Sequence, residues 1–240
     1  MTVLNLGCGS RTSERCINID WSWPVRLKAS PVGRRIAPLV VGGERRASFE
    51  ALAGDLVVHD LRKGIPMPDE SVDAVYHSHV FEHIDRDAVD GFLHEVRRVL
   101  KPGGVQRIVV PDLEGLVRKY LADLDACVAG VADPAEHDRS VHAFVEQMVR
   151  REASGTSRQS PMRRRMENAF LGDARRRGET HQWMWDRVNI SSVLATAGFS
   201  DIAIVDHVTS RIPDWTGFGL DQEADGGEYK PGSLYVECVR

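Results

Sequence analysis

A short apolar strand signal runs straight into a glycine turn at the start of this chain. Val3, Leu4 and Leu6 are followed by Gly7-Cys8-Gly9-Ser10, a buried-strand pattern stopped by glycines. Further strand signals follow at CINID ending on Asp20, DLVVHD ending on Asp60, SVDAVYHS over residues 71–78 and VQRIVV over 105–110. Between the last two, Val89, Phe92, Leu93, Val96, Val99 and Leu100 recur at helical spacing, with Asp85 as the expected cap and Lys101-Pro102-Gly103-Gly104 as the stop. Asp112 and Asp133-Pro134 are set to open two more helices, with apolar stripes at Leu113, Leu116, Val117, Tyr120, Leu121 and Leu124, then Val141, Phe144, Val145, Met148 and Val149. Residues 190–197 end at Gly198 as a last helix, before strands FSDIAIVDH and SLYVECV. Strands separated by helices early, and a strand pair at the end, predict an α/β doubly wound fold with a mostly parallel seven-stranded sheet and an antiparallel edge strand.

Composition removes several function classes. The 240 residues carry 31 basic and 35 acidic side chains, a net charge of -4, with 42% hydrophobic residues. That is an ordinary globular composition and disfavours a general polyanion binder. No apolar run reaches the ~20 residues that span a bilayer, and MTVLNLGCGS lacks the basic and apolar regions of a signal peptide, so a cytoplasmic location is expected and no membrane partner. Cys8, Cys16, Cys127 and Cys238 form no CxxC pair and are expected as free thiols. Basic charge is concentrated locally: eleven arginines against six acids lie between Arg139 and Arg187.

In a doubly wound sheet a ligand lies at the carboxyl ends of the strands near the switch point. Gly7 and Gly9 allow positive φ and close approach of a ligand to the backbone, with N–H donors on offer. Thr12 stands where a dinucleotide fingerprint has its third glycine, which argues against a pyrophosphate cofactor. Asp20 can accept from both hydroxyls of a ribose diol, and Asp60 from an exocyclic amine.

These residues resemble the class I S-adenosylmethionine-dependent methyltransferases of the type 11-like group. The resemblance rests on LNLGCG, INID, HDLRKGIPMPDESVDAVYHSHVFEHI and EVRRVLKPGG followed by RIVVPD, in that order over the first half of the chain. It implies a Rossmann-like core and S-adenosylmethionine as cofactor. Gly7, Cys8 and Gly9 would cradle the methionyl part, Asp20 would hold the ribose, Asp60 and Leu61 would face the adenine, and Ser78 and His79 would close the methionyl side. Trp21 and Trp23, just after the ribose acid, are either core or adenine cover. Two departures stand out: Asn5 replaces the acid the family often has in its first strand, and no helical cap precedes that strand in this sequence.

The expected organisation is a cofactor-binding core over residues 1–112 with an insertion at 21–54, a helical acceptor lid over 113–185, and a return to the sheet over 186–240. The expected reaction is methyl transfer to an O or N atom of a small molecule, whose anionic group the arginines could hold. A catalytically silent cofactor-binding scaffold or regulatory subunit and a nucleic-acid methyltransferase are the alternatives, the last disfavoured by the acidic charge. His79-Val80-Phe81-Glu82-His83 matches an HxxEH zinc pattern. The methyltransferase context accounts for these residues without metal, the sequence identifies no further ligand, and no metal is expected. Glu82 and His181, the latter within His181-Gln182-Trp183-Met184-Trp185, are the candidate catalytic residues, His181 as a general base.

Overall fold

The computed structural model describes residues 1–40, 49–50, 56–148, 162, 169 and 180–240. Seven strands form one sheet: β1 (Val3–Leu6), β2 (Ile17–Asp20), β3 (Val57–Val58), β4 (Val72–Ser78), β5 (Leu100–Pro111), β6 (Ser200–Val205) and β7 (Ser233–Val239). Their order is β3-β2-β1-β4-β5-β7-β6. The ladders from β3 to β5 are all parallel, whereas β7 pairs antiparallel with both β5 and β6, which supplies the expected antiparallel margin. The order reverses between β1 and β4, so the ligand crevice of a doubly wound sheet falls at the carboxyl ends of those two strands.

Parallel neighbours require a crossover, usually helical. Helices α1 (Trp23–Ala29) and α2 (Pro31–Val40) lie on the crossover from β2 to β3, within the expected insertion. Helix α3 (Val89–Val99) joins β4 to β5 and buries Val89, Phe92, Leu93, Val96 and Val99, the stripe expected from its spacing. Each such side chain contributes about 1.5–3 kcal/mol when fully removed from water. Asp85 does not cap this helix. It precedes a 3-10 turn, Arg86–Ala88, and makes no side-chain capping bond, so α3 starts at Val89 after Ala88.

β5 starts five residues before the expected strand, because Lys101-Pro102-Gly103-Gly104 is not a free turn. The Gly103 N–H donates to Arg240 O, and Arg240 N–H returns to Gly104 O. The final strand signal therefore zips the glycines into the sheet.

Helices α4 (Leu113–Val128) and α5 (Pro134–Gln147) begin at the expected caps. Asp112 accepts from Glu114 N–H and Asp133 from Ala135 N–H, each at 3.0 Å. Tyr120 of α4 packs against Phe144 and His137 of α5, yet no α4 residue is fully buried. Helix α6 (Arg187–Thr196) starts earlier than expected, since Asp186 and Asn189 form a reciprocal capping box. Residues 1–112 and 186–240 thus build a single sheet. Val149, the loop-like stretch 153–161, the runs Arg163-Arg164-Arg165 and Arg175-Arg176-Arg177, and much of 41–55 lie outside the described residues.

One face of the sheet carries the main core, built around Leu4, Leu6, Val75, Phe81, Leu93 and Trp185. The other face, under Val3, Tyr76, Val109 and Tyr235, is covered by Ile212, Trp215, Phe218 and Leu220 of the long loop between β6 and β7. Arg107 of β5 ties that loop down. Fully buried, it donates to Asp221 Oδ2 and Glu237 Oε1 at 2.8 Å and to the carbonyls of Thr209 and Asp206 at 2.9 and 2.7 Å.

Candidate functional site

At the β1 terminus, Gly7 and Gly9 adopt φ of +63° and +53°, a region L side chains occupy only at a cost. Gly7 is doubly constrained, because a Cβ there would stand 2.4 Å from Val80 Cγ2. The glycine therefore lets the turn after β4 close against the turn after β1. The N–H groups of Gly7 and Cys8 donate to Ile19 O, at 2.8 and 3.3 Å, and Gly9 N–H donates to Asp20 Oδ2 at 2.8 Å. These three donors, expected to face a ligand, instead bind β1 to β2, since β2 lies beside β1. Burial pushes the Cys8 thiol up to about 12, so it is an inert packing group at neutral pH.

Asp20 is buried at the end of β2, its second oxygen accepting from Ser22 N–H at 2.6 Å. Two backbone bonds fix the carboxylate and leave further acceptor capacity on both oxygens. Asp60 ends the β3 region and caps a 3-10 turn, Leu61–Lys63. The exposed Arg62 folds back on it as a fork, Nε to Oδ1 at 2.9 Å and Nη2 to Oδ2 at 2.8 Å. That hydrogen-bonded guanidinium holds the Asp60 carboxyl below its ordinary pKa.

A cavity of about 200 Å³ opens at the switch point. Gly7, Cys8, Gly9, Ser78 and His79 all line it, so five expected residues converge. Asp20, Trp21, Asp60 and Leu61 do not line it, nor does any residue of α1, α2, α4 or α5. Trp21 is partly exposed under the Arg26 guanidinium, 4.5 Å from its ring centre. Asn5, also at the wall, donates to Arg11 O and Asn18 Oδ1, at 2.9 and 3.0 Å, and thereby shapes the loop after the glycines. Tyr229 and Lys230 also line the cavity, with Ser10, Arg11 and Tyr76, and were not singled out from the sequence. They sit in the loop before β7, held over the cavity by Arg11, which donates to Leu220 O at 3.3 Å and stacks 4.0 Å from the Tyr229 ring centre. Burial lowers the Lys230 pKa.

Behind His79 lies the second group of expected residues. His79 has φ +52° at the end of β4, and its Nε2 is 3.0 Å from Ser233 Oγ. Its Nδ1 comes within 3.3 Å of Glu82 Oε1. Glu82 is fully buried in the 3-10 turn Phe81–His83, and neither carboxylate oxygen has a well-aligned hydrogen-bond donor among the described residues. Burial opposes its charge, but the adjacent His79 and His83 imidazoles outweigh burial and hold its pKa below the ordinary value. Burial depresses the pKa of His83, whose Nε2 is 3.9 Å from Glu82 Oε1.

His181 joins this pair through the backbone beside it. Glu82 O accepts from Gln182 N–H at 2.7 Å and Trp183 N–H at 3.3 Å. The aromatic setting expected for His181 is different in detail. Trp185 goes into the core and stacks on Phe81 at 4.7 Å, Trp183 remains 40% exposed, and the ring against His181 is His83, edge-on at 4.9 Å. His181 Nδ1 is 2.8 Å from Gln147 O, which makes Nδ1 the protonated nitrogen and leaves the lone pair on Nε2. The arginine runs expected to flank His181 lie outside the described residues.

A family model described as a methyltransferase domain matches residues 25–108. No curated protein sequence matches the chain. Among solved structures it is similar to a SAM-dependent methyltransferase from Archaeoglobus fulgidus at 14% identity and a TM-score of 0.42, covering 100% of this chain and 86% of that one. The methyltransferase in complex with the Trm112 activator of Haloferax volcanii is 18% identical, with a TM-score of 0.42 and coverage of 99% and 81%. A DhpI–SAH complex is 16% identical, with a TM-score of 0.45 and coverage of 99% and 75%. The stretch from α1 into β5 is thus similar to a methyltransferase domain, and it belongs to the same sheet as the glycine turn that lines the switch-point cavity.

Proposed function

We propose that this enzyme methylates an O or N atom of a small-molecule acceptor. The observation that carries the reading is the cavity between β1 and β4, walled by Gly7, Cys8, Gly9, Ser78 and His79 and closed by Tyr229 and Lys230. It fits the methionyl end of S-adenosylmethionine, because the two positive-φ glycines leave backbone without side chains along its wall. The cofactor supplies an already activated sulfonium methyl donor, so the protein's task is chiefly placement. Asp20 would hold the ribose hydroxyls, Asp60 and Leu61 the adenine, with Trp21 beside them and the Arg62 fork on Asp60 giving way to the adenine amine. Lys230, at the cavity wall, would meet the methionyl carboxylate.

Glu82 and His181 would serve the acceptor side, where the Nε2 lone pair of His181 and the buried carboxylate can draw off a hydroxyl or ammonium proton. Helices α4 and α5, the described helices of residues 113–185, would belong to the acceptor lid, linked to the cluster through the Gln147 O contact. Among the described residues no helix is long and apolar enough to cross a membrane. Calorimetry with S-adenosylmethionine and S-adenosylhomocysteine, followed by transfer of labelled methyl to a panel of hydroxylated and amine acceptors, tests the proposal. Micromolar cofactor binding with labelled small-molecule product is expected. Cofactor binding with label only in RNA or DNA would overturn the acceptor class, and no binding of either ligand at millimolar concentration would overturn the whole reading.

A further inference from the structure

We infer that Glu82, His83 and His181 form a binding site for one divalent transition-metal cation, of the zinc class, behind the cofactor cavity. Each of the three offers a ligand atom, and all these atoms lie within 4.8 Å of one another. Two imidazole nitrogens and one carboxylate oxygen are the donor set of open, three-ligand zinc sites, in which a fourth position is left for water or substrate. His181 is the further ligand that the HVFEH segment lacks on its own.

The strongest indication is what Glu82 does without a cation. A fully buried carboxylate with no well-aligned donor among the described residues, its nearest being His79 Nδ1 at 3.3 Å, is costly, and natural proteins resolve it by fuller pairing or by coordinating a metal. Among the described residues the only basic groups within 4.0 Å of it are the imidazoles of His79 and His83, and the partly buried Lys230 acts on it from farther off.

The surroundings are arranged as those of metal ligands are. Ligating imidazoles commonly give their second N–H to a backbone carbonyl, which fixes the tautomer. His181 Nδ1 does so at Gln147 O, presenting Nε2. His79 flanks the carboxylate at 3.3 Å and is itself anchored on Ser233. The two chain segments are locked in register by the bonds from Gln182 and Trp183 to Glu82 O. A contraction of the three ligand atoms by about an ångström would bring them to the ~2.0–2.2 Å bond lengths such a cation requires.

The inference deepens the acceptor side of the proposed function. His181 then acts as a ligand, and the cation lowers the pKa of a hydroxyl placed on its open position. Loss of turnover in H181A fits a base and a ligand alike, so the test reads the metal itself.

Protein stripped with chelator and dialysed free of it is titrated with zinc chloride by calorimetry, and metal content is measured by mass spectrometry. About one zinc per chain is expected, with affinity falling tenfold or more in E82Q, H83N and H181A, and unchanged in H94A on the exposed face of α3. Circular dichroism confirms that each variant is folded, and cobalt substitution should give visible bands that H181A lacks. Substoichiometric zinc in wild type, or wild-type affinity in folded H83N and H181A, would overturn the inference. Cofactor binding is measured on the same samples. Its persistence without zinc would remove only the metal site, and its absence with zinc bound would remove the methyltransferase reading instead.

Discussion

Replacing Arg107 with Met tests how the loop over the cofactor cavity is held. The guanidinium has no exposed surface and feeds four acceptors, two of them the buried carboxylates of Asp221 and Glu237. Its plane also lies 4.8 Å from the Trp215 ring centre and 5.4 Å from that of Tyr235. Methionine fills much of the volume but strands both acids. Asp221 keeps Tyr76 Oη at 2.5 Å and Trp215 Nε1 at 3.0 Å, and Glu237 keeps the Arg211 N–H at 2.8 Å, yet neither retains a cation. Breaking a buried pair from one side costs about 3–5 kcal/mol, which for a chain of this size corresponds to a fall in Tm of about 6–20 °C. Urea unfolding followed by circular dichroism measures it. The triple variant R107M/D221N/E237Q, in which no charge is stranded, should recover at least half of the loss. Because Asp221 is hydrogen-bonded to Tyr229 N–H through its carbonyl, R107M should also weaken S-adenosylmethionine binding. A loss under about 1 kcal/mol, or a triple variant no better than the single, would refute this account of the network.

Asp20→Ala should weaken cofactor binding by about 1.5–3 kcal/mol by calorimetry, since a charge-assisted pair of bonds is lost, and an affinity within twofold of wild type would take Asp20 off the ribose. Gly7→Ala should destabilise the fold by about 1–2 kcal/mol from its positive φ alone, with a further loss from the Val80 contact that Val80→Ala relieves; additive losses in the double variant would show that the contact is not felt. Burial lowers the His77 pKa from 6.5 to about 4, so below pH 6.5 the unfolded chain takes a proton that the folded chain refuses, and stability falls as pH drops toward 4. At pH 5 that is about 2 kcal/mol relative to pH 7, above the window of Glu95, whose pKa of about 2 affects stability only below 4.5. His83 shifts the same way as His77 but is common to wild type and H77Q. H77Q should therefore lose about 2 kcal/mol less than wild type over that interval in urea unfolding, and equal losses would refute the burial argument.

Much of the fold was legible because period and punctuation agree in the first half of the chain. β4 and β7 carry alternating or continuous apolar residues bounded by turns, and Asp112 and Asp133-Pro134 mark helix starts through bonds that involve only the next two residues. The misreadings come where a distant partner decides. Lys101-Pro102-Gly103-Gly104 has the composition of a stop, but Arg240 at the far end of the chain draws it into the sheet. Asp85 has the chemistry of a cap, but a 3-10 turn intervenes before α3. The apolar stripe of α4 has helical spacing, yet Val117 and Leu121 stay partly exposed and none of its residues is fully buried.

The site divides along the same line. Gly7 and Gly9 are legible because the backbone at the β1 terminus demands them there, and they line the cavity; Asp20 and Asp60 stand at neighbouring strand ends of the same sheet but do not line it. Tyr229 and Lys230 reach the cavity only because Arg11 and the Arg107 network fold a loop back across the sheet, and no short-range signal encodes that. The Glu82 cluster lies between these cases. Spacing alone places Glu82 and His83 in one turn, and a match to an HxxEH pattern there is ambiguous for want of a further ligand. That ligand comes from a segment whose own sequence reads as aromatic packing. Backbone bonds from Gln182 and Trp183 to Glu82 O, and the stacking of Trp185 on Phe81, are what place His181 beside the carboxylate. The tryptophan that seemed to define the environment of His181 is the anchor that delivers it, and its chemical neighbours are instead a histidine and a buried acid.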